Sequence, residues 1–177
     1  SYETAASIMK CITHTAYRSS IQLAEEKGSF PFFDKEKYLA SEFIKTLPND
    51  IQERIKESGI RNSHLTTIAP TGTISLLANN VSSGLEPVFD YQHSRRILGL
   101  DGKYTEHHLT DYACRLWQEM NPGKEQLPLP FINVRTLSPE AHLDMQAAVQ
   151  PYIDNAISKT INVPEDYSYE DFKKLYR

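Results

Sequence analysis

Apolar residues recur at near-helical intervals in the first part of the chain, and this pattern predicts a mostly helical protein. If residues 2–27 are helical, five apolar side chains lie near one face, namely Ala5, Ile8, Ile12, Ala16 and Leu23. Gly28 follows directly and is a typical helix stop. We therefore predict one long amphipathic helix over residues 2–27.

Local capping signals predict further helices. Each begins near a polar N-cap residue or a proline, and one ends at a glycine. In chain order they cover residues 34–46, residues 51–57 with a stop at Gly59, and residues 105–120, 138–154 and 168–177. The helix over residues 105–120 would lie on the surface and bury Leu109, Ala113, Leu116 and Trp117.

Two short segments favour β-strands. Residues 64–69 and 156–163 are rich in β-branched side chains, and Pro70 would stop the first segment. We predict both segments as short buried strands. The fold class is therefore expected to be α/β, predominantly helical, with two or three short strands.

The segment after the first predicted strand is the strongest candidate for a binding site. Thr71, Gly72, Thr73, Ile74 and Ser75 open a predicted helix, whose first backbone N–H groups lack internal partners and carry partial positive charge. Hydroxyl groups beside a glycine at this position suit a phosphate group. The same residues also make an ordinary N-cap, and the chain has neither a Walker motif nor a GxGxxG sequence. The residues alone leave the ligand open.

Composition and charge narrow the function classes. The net charge of -4 gives no broad basic surface, which argues against a nucleic acid partner. No apolar run approaches the roughly 20 residues of a membrane helix, and the N-terminus lacks a signal peptide pattern. We therefore expect a cytoplasmic protein that does not associate with a membrane.

Cysteine and histidine patterns predict no metal site. Cys11 and Cys114 have no metal-like or redox spacing, and we expect both to be buried small side chains. His107 and His108, with Glu106 nearby, form no HExxH pattern and would point to different sides of a helix.

Several segments together resemble the large catalytic subunit of ribonucleotide reductases. Ala-Pro-Thr-Gly-Thr-Ile-Ser at 69–75, Ser-Ser-Gly-Leu-Glu-Pro at 82–87 and Arg-Arg-Ile-Leu at 95–98 follow one another at family-like spacing. Residues 15–18, 23–28, 30–31, 148–154 and 156–164 are also similar to family segments, so the resemblance covers essentially the whole chain. The Thr-Gly-Thr-Ile-Ser sequence resembles the adenosylcobalamin-dependent class most closely, whereas the iron-dependent class has a loop resembling Pro-Thr-Ala-Ser-Thr.

The resemblance implies a fold and a reaction. The family fold is a ten-stranded α/β barrel, of which residues 1–177 would be a single C-terminal-side portion. The full enzymes convert ribonucleotides to deoxyribonucleotides with adenosylcobalamin and a thiyl radical. The resemblance assigns substrate phosphate binding to Thr71, Gly72, Thr73, Ile74 and Ser75.

This sequence lacks the cysteines that the family uses for catalysis. Neither the Asn-x-Cys-x-Glu loop nor a pair of redox cysteines is present. The resemblance therefore implies no catalytic residue in this chain and no activity for it alone. Its expected partners are the ribonucleotide substrate and the remainder of the catalytic subunit.

Three further residues near the candidate loop carry charge. We predict that Glu86 holds the adjoining loop by accepting backbone N–H groups rather than acting in acid-base catalysis. At most one of Arg95 and Arg96 is expected to reach a phosphate, since adjacent side chains rarely point the same way.

Several alternatives remain at this stage. The chain could be a non-catalytic helical scaffold module that keeps the ancestral sequence, or part of an iron-dependent reductase. Strands without neighbours would leave backbone groups unpaired, which predicts either a homodimer that shares these edges or a repacked helical form.

Overall fold

The computed structural model describes residues 1–124, 126–163 and 165–175. It is mainly helical, with one two-stranded sheet in the described part of the chain. The helices are α1 (Tyr2–Lys27), α2 (Lys35–Leu39), α3 (Glu42–Lys45), α4 (Asn49–Ser58), α5 (Gly72–Leu77), α6 (Tyr112–Met120), α7 (Pro139–Val149) and α8 (Tyr169–Lys174), and the strands are β1 (Gln92–Leu98) and β2 (Tyr104–Thr110). A short 3-10 helix, Gln150–Tyr152, follows α7.

Helix α1 confirms the predicted long helix, but it buries a different face from the one expected. Ser1 accepts the Thr4 N–H at the start, and Gly28 has a φ of 77° just after the end. The predicted apolar positions Ile8, Ile12 and Leu23 are exposed. The buried face is instead formed by Thr13, Tyr17, Ser20, Ile21 and Ala24.

The chain divides into two compact units, and the first comprises residues 1–68 and 144–157. Its core contains Tyr17, Ile21, Ile44, Leu47, Ile51, Ile55 and Ile60. Phe30, Phe33 and Tyr38 pack against this core in mutual ring contacts. The single helix predicted over residues 34–46 is wrong, because Ser41 accepts the Ile44 N–H and begins a separate helix, α3.

Helix α4 confirms the prediction made from Pro48 and Gly59. Ile51 and Ile55 are fully buried on one side of it, whereas its other positions are largely polar. Gly59 follows the helix with a φ of 77°, a conformation that favours glycine.

The carboxylate of Asp154 organises the irregular part of the first unit. Its Oδ2 accepts the Tyr17 hydroxyl at 2.7 Å and the Leu65 N–H at 2.8 Å, while its Oδ1 accepts the Thr66 N–H at 2.9 Å. Burial, followed by the bond to Asp154, raises the pKa of Tyr17, so this phenol stays protonated and donates.

The two predicted strands meet but do not form a sheet. Residues 64–69 and 156–163 share a single parallel bridge between Ile68 and Ile157. The Ile68 N–H donates to the Ala156 carbonyl at 3.2 Å, and the Thr67 hydroxyl donates to the same carbonyl at 2.7 Å. The prediction of strands is wrong because Asp154, not a neighbouring strand, takes the N–H groups of Leu65 and Thr66.

The second unit comprises residues 69–143 and the described residues from 158 onward. Its strands β1 and β2 form an antiparallel hairpin in which Gln92 lies opposite Thr110 and Leu98 lies opposite Tyr104. The Gly99 N–H donates to the Lys103 carbonyl at 2.8 Å, which closes the turn.

This hairpin corrects the helix predicted over residues 105–120. Residues 105–110 belong to β2, and Asp111 then accepts the Cys114 N–H at 3.0 Å to begin α6 at Tyr112. The helical spacing over residues 105–120 therefore does not correspond to one helix, because a strand ends at Thr110 and Asp111 is the N-cap of a new helix.

The last two predicted helices form, but the predicted end of the first at residue 154 is wrong, because α7 ends at Val149 and the 3-10 helix Gln150–Tyr152 follows. Helix α7 begins at Pro139, and Ser168 accepts the Asp171 N–H at the start of α8. The predicted end of the final helix at Arg177, and Pro164 in the family-like segment, lie outside the described residues. Among the helices of the described residues, none is long and apolar enough to cross a membrane.

We predict that Asp154→Ala destabilises the protein by about 2–3 kcal/mol, because it leaves two backbone N–H groups and the Tyr17 hydroxyl without their acceptor. Urea unfolding followed by circular dichroism would measure the loss. Asp144→Ala is the matched control, since Asp144 is exposed. Equal losses for the two variants would contradict the role of Asp154.

Candidate functional site

The candidate loop begins helix α5 as predicted. Thr71 is its N-cap and has a φ of 48°, in the left-handed region that few residues other than glycine adopt. The Gly84 N–H donates to Thr71 Oγ1 at 2.9 Å and so ties the loop to the turn that follows α5.

Three backbone N–H groups of the loop are available to a ligand. Those of Gly72, Thr73 and Ile74 have no hydrogen-bond acceptor within the described part of the chain, as expected for the first residues of a helix. The Ser75 N–H, in contrast, donates to the Thr71 carbonyl at 2.9 Å.

The two hydroxyl groups of α5 differ. The Ser75 hydroxyl donates to the Gly72 carbonyl at 2.7 Å, and Ser75 is buried. Thr73 is exposed, and its hydroxyl has no hydrogen bond to the described residues. Thr73 can therefore donate to a ligand without breaking a bond inside the protein.

The turn after α5 is built from left-handed residues. Asn79, Asn80 and Gly84 have φ values of 70°, 59° and 58°. A Cβ atom at position 84 would lie 2.9 Å from the Ala69 carbonyl oxygen, so the turn needs glycine for space as well as for conformation.

Glu86 joins this turn to a distant segment. Its Oε1 accepts the Thr160 N–H at 2.6 Å, and its Oε2 forms an ion pair with Lys159 Nζ at 2.8 Å. The Lys159 side chain is only 4% exposed and that of Glu86 is 25% exposed. Glu86 does accept a backbone N–H, as predicted, but from Thr160 rather than from the adjoining loop.

His142 is a buried neighbour of this ion pair. It is 1% exposed, and neither ring nitrogen has a hydrogen-bond partner. Burial lowers its pKa, the nearby Lys159 lowers it further, and Glu86 acts in the opposite direction. His142 is therefore neutral and packed in the interior of the second unit.

A cavity of about 610 Å³ brings the loop together with elements that are remote in sequence. Its wall includes Gly72, Ser75, Glu86, Arg95, Thr160 and Asn162. The volume falls in the range of small-molecule sites, roughly 300–1,000 Å³. The hairpin and the segment at 160–162 thus also line this cavity. The sequence predicts such a position for one of the two arginines, but not for residues 160–162.

The two adjacent arginines of β1 have different surroundings. The Arg96 guanidinium lies over the Tyr104 ring, 5.1 Å from its centroid. Arg95 lines the cavity, and its guanidinium forms no hydrogen bond or ion pair with the described residues. Only one of the two arginines is therefore available at the cavity.

The other candidate residues do not form a site. His107 and His108 follow each other on a strand, and each lies near a hydroxyl group, on Thr105 and Ser94. No cluster of three metal-ligating side chains occurs within the described ranges.

The two cysteines differ. The expectation of a buried side chain is confirmed for Cys114, where burial raises the pKa of the thiol. It is wrong for Cys11, which is exposed on α1.

Comparisons with known proteins agree on one family. The model of the family described as ribonucleotide reductase, barrel domain, matches residues 1–177. Among curated relatives, a vitamin B12-dependent ribonucleoside-diphosphate reductase of Thermoplasma acidophilum is 33% identical over 99% of this chain and 23% of its own length. One of the same name from Mycobacterium tuberculosis is 31% identical over 97% of this chain and 25% of its own length.

A relative with a different name matches less closely. The ribonucleoside-diphosphate reductase subunit alpha of Mycoplasma pneumoniae is 26% identical over 93% of this chain and 25% of its own length. The chain thus spans about a quarter of the length of the curated relatives it matches.

We predict that Gly84→Ala destabilises the protein more than Gly102→Ala does. Both glycines have a positive φ, which costs roughly 1–2 kcal/mol for alanine, but nothing lies within 4 Å of a Cβ at Gly102. The contact with the Ala69 carbonyl should add about 1–3 kcal/mol at position 84. Denaturant unfolding of both variants measures the difference, and equal losses would show that the turn can shift without cost.

We also predict that stability falls as the pH drops below 6.5, the ordinary pKa of histidine, because the pKa of His142 is lowered in the folded protein. Above that pH the residue is neutral in both states. Below it, down to the lowered pKa, the unfolded chain binds a proton that the folded chain does not.

His142→Leu should therefore flatten this part of the profile, whereas exposed His107→Leu should not. Unfolding free energies measured between about pH 8 and pH 5 test the difference. A profile unchanged by His142→Leu would contradict it.

Proposed function

This chain belongs to the ribonucleotide reductase family, through its barrel domain, and we propose that it carries the substrate's phosphate-binding site in a full-length enzyme that reduces ribonucleotides to deoxyribonucleotides. Thr71, Gly72, Thr73, Ile74 and Ser75 are the proposed phosphate loop. The substrate is a ribonucleoside diphosphate, in keeping with the names of the relatives.

The single observation that supports this proposal best is the unpaired Arg95 guanidinium in the same cavity as the loop. A guanidinium group pairs well with phosphate oxygens, because its N–H groups match their geometry. Gly72 lines the same cavity and has a free N–H group, and the free N–H groups of Thr73 and Ile74 and the Thr73 hydroxyl follow it at the same helix start. Positive charge and directed donors together suit a phosphate better than they suit a neutral ligand.

The loop residues have separate roles in this proposal. The space beside the Gly72 Cα atom is open, since a Cβ there would meet nothing within 4 Å. A ligand can therefore approach the backbone of Gly72 closely. Ile74 contributes its backbone N–H group, and the Ser75 hydroxyl holds the helix start through its bond to Gly72. Held in this way, the phosphates would fix the position of the ribose relative to catalytic groups that this chain does not supply.

The cofactor of the full enzyme is proposed to be adenosylcobalamin, as the names of the relatives indicate. The cavity of about 610 Å³ has the size of a nucleotide site and does not fit a corrin cofactor. We therefore assign no cofactor contact to the described residues and derive no step through it. The radical chemistry belongs to the rest of the subunit.

The fold has a corresponding place in this proposal. The parallel bridge between Ile68 and Ile157 is consistent with two neighbouring barrel strands. In a ten-stranded barrel the segments around these residues would gain their remaining partners from the rest of the catalytic subunit. The chain alone is expected to be inactive.

We predict that Arg95→Ala weakens binding of a ribonucleoside diphosphate to the full-length protein by about tenfold or more, since a bond to a charged group contributes roughly 1.5–3 kcal/mol. Thr73→Ala should cost less, about 1 kcal/mol, because it removes one neutral donor. Isothermal titration calorimetry measures both effects.

Arg96→Ala is the matched control, because Arg96 is adjacent and equally charged but lies over the Tyr104 ring. Its affinity should equal that of the unmodified protein. The assignment fails if Arg95→Ala binds as tightly as the unmodified protein, or if Arg96→Ala is weakened to the same extent.

A further inference from the structure

Three carboxylates line the proposed phosphate cavity among the described residues, those of Glu86, Asp90 and Asp111. Glu86 lines the cavity, and its side chain is partly accessible. The negative charge of the Glu86 carboxylate close to a diphosphate would repel it, since like charges at short range disfavour each other in a partly buried site. The site therefore needs a means of compensating this charge.

Lys159 provides the compensating charge from behind the wall. Its ammonium group lies 2.8 Å from Glu86 Oε2 and also donates to the Thr160 carbonyl. The Lys159 side chain is only 4% exposed, and Lys159 is not one of the residues that line the cavity. Its ammonium group therefore compensates the charge of Glu86 without contacting a ligand in the cavity.

The other charged groups near the cavity do not replace Lys159. Asp90 lies 3.6 Å from Arg135 in an ion pair, and Asp111 caps α6. His142 is neutral beside the Lys159–Glu86 pair, and Arg95 has no acidic partner. The charge of Glu86 is therefore balanced by Lys159 alone among these side chains.

We propose that Lys159 is a positioning residue for phosphate binding: its ammonium group neutralises the charge of Glu86, so that the cavity can bind the negatively charged diphosphate of the substrate. This inference rests on the proposed function of the cavity. Glu86 in turn orders the wall through its bond to the Thr160 N–H. The pair thus lets a carboxylate serve as a structural acceptor next to an anion site.

The proposal predicts effects that depend on the charge of the ligand. Removing only Lys159 leaves Glu86 uncompensated and should repel a diphosphate, but it should affect an uncharged nucleoside little. Removing only Glu86 leaves a net positive charge and should favour the diphosphate. Removing both charges should restore the original balance.

The test uses the full-length protein with Lys159→Met, Glu86→Gln and the double variant. Calorimetry gives the dissociation constants of a ribonucleoside diphosphate and of the same ribonucleoside without phosphate. We expect Lys159→Met to raise the constant for the diphosphate about tenfold and that for the nucleoside less than about twofold. Glu86→Gln should leave the diphosphate constant unchanged or lower it, and the double variant should return it to within about threefold of the original.

Lys173→Met is the control for removing a lysine charge elsewhere in the second unit, since Lys173 pairs with Glu170 on α8. Thermal unfolding reports whether each variant folds. If Lys159→Met does not fold, Glu86→Gln and the double variant decide the question. Glu86→Gln keeps an oxygen atom that can accept a hydrogen bond from Lys159, and the double variant removes both charges together.

The outcomes separate this proposal from the one on which it rests. Equal weakening of nucleoside and diphosphate binding by Lys159→Met, or weaker diphosphate binding by Glu86→Gln, would overturn the role of Lys159 while Arg95→Ala still weakens binding. If Arg95→Ala has no effect either, the cavity is not the phosphate site and both proposals fall.

Discussion

The structure depends on one constraint, which is that backbone N–H groups outside helices and sheets still need acceptors. Two long segments, residues 62–70 and 156–163, have almost no regular structure among the described residues. In each segment a carboxylate accepts hydrogen bonds from backbone N–H groups. Asp154 accepts those of Leu65 and Thr66, and Glu86 accepts that of Thr160. Side chains thus replace the sheet that the sequence of these segments predicts.

The two partly buried carboxylates are stabilised by different kinds of partner. Asp154 is surrounded by neutral donors, namely two backbone N–H groups and the hydroxyl groups of Tyr17 and Thr66. Glu86 has a single backbone donor and the ammonium group of Lys159. Neutral donors are sufficient for Asp154, whereas Glu86, which lines the proposed phosphate cavity, also has a cationic partner.

Helix boundaries could be predicted from the sequence because their signals are local. Gly28, Gly59 and Ser168 mark helix ends and starts that the structure confirms. The strands could not be predicted in the same way, since β-branched composition does not reveal whether a partner strand or a carboxylate takes the N–H groups. The hairpin did have a local signal, because Gly99, Asp101 and Gly102 form a turn sequence between two seven-residue segments.

The candidate site shows the same division between local and tertiary information. The start of α5 could be predicted from Thr71 and Gly72. The choice between Arg95 and Arg96 depends on the structure of the hairpin, part of which the sequence pattern predicts as a helix. The pairing of Glu86 with Lys159 joins residues 73 positions apart and has no sequence signal. Glu86 and Asp90 are each paired to a cation, so among the described residues the wall has two charged groups without an ionic partner: the free Arg95 guanidinium and the Asp111 carboxylate, which caps α6. The proposed preference for an anion therefore depends on the free Arg95 guanidinium, and not on the composition of the chain, whose net charge is negative.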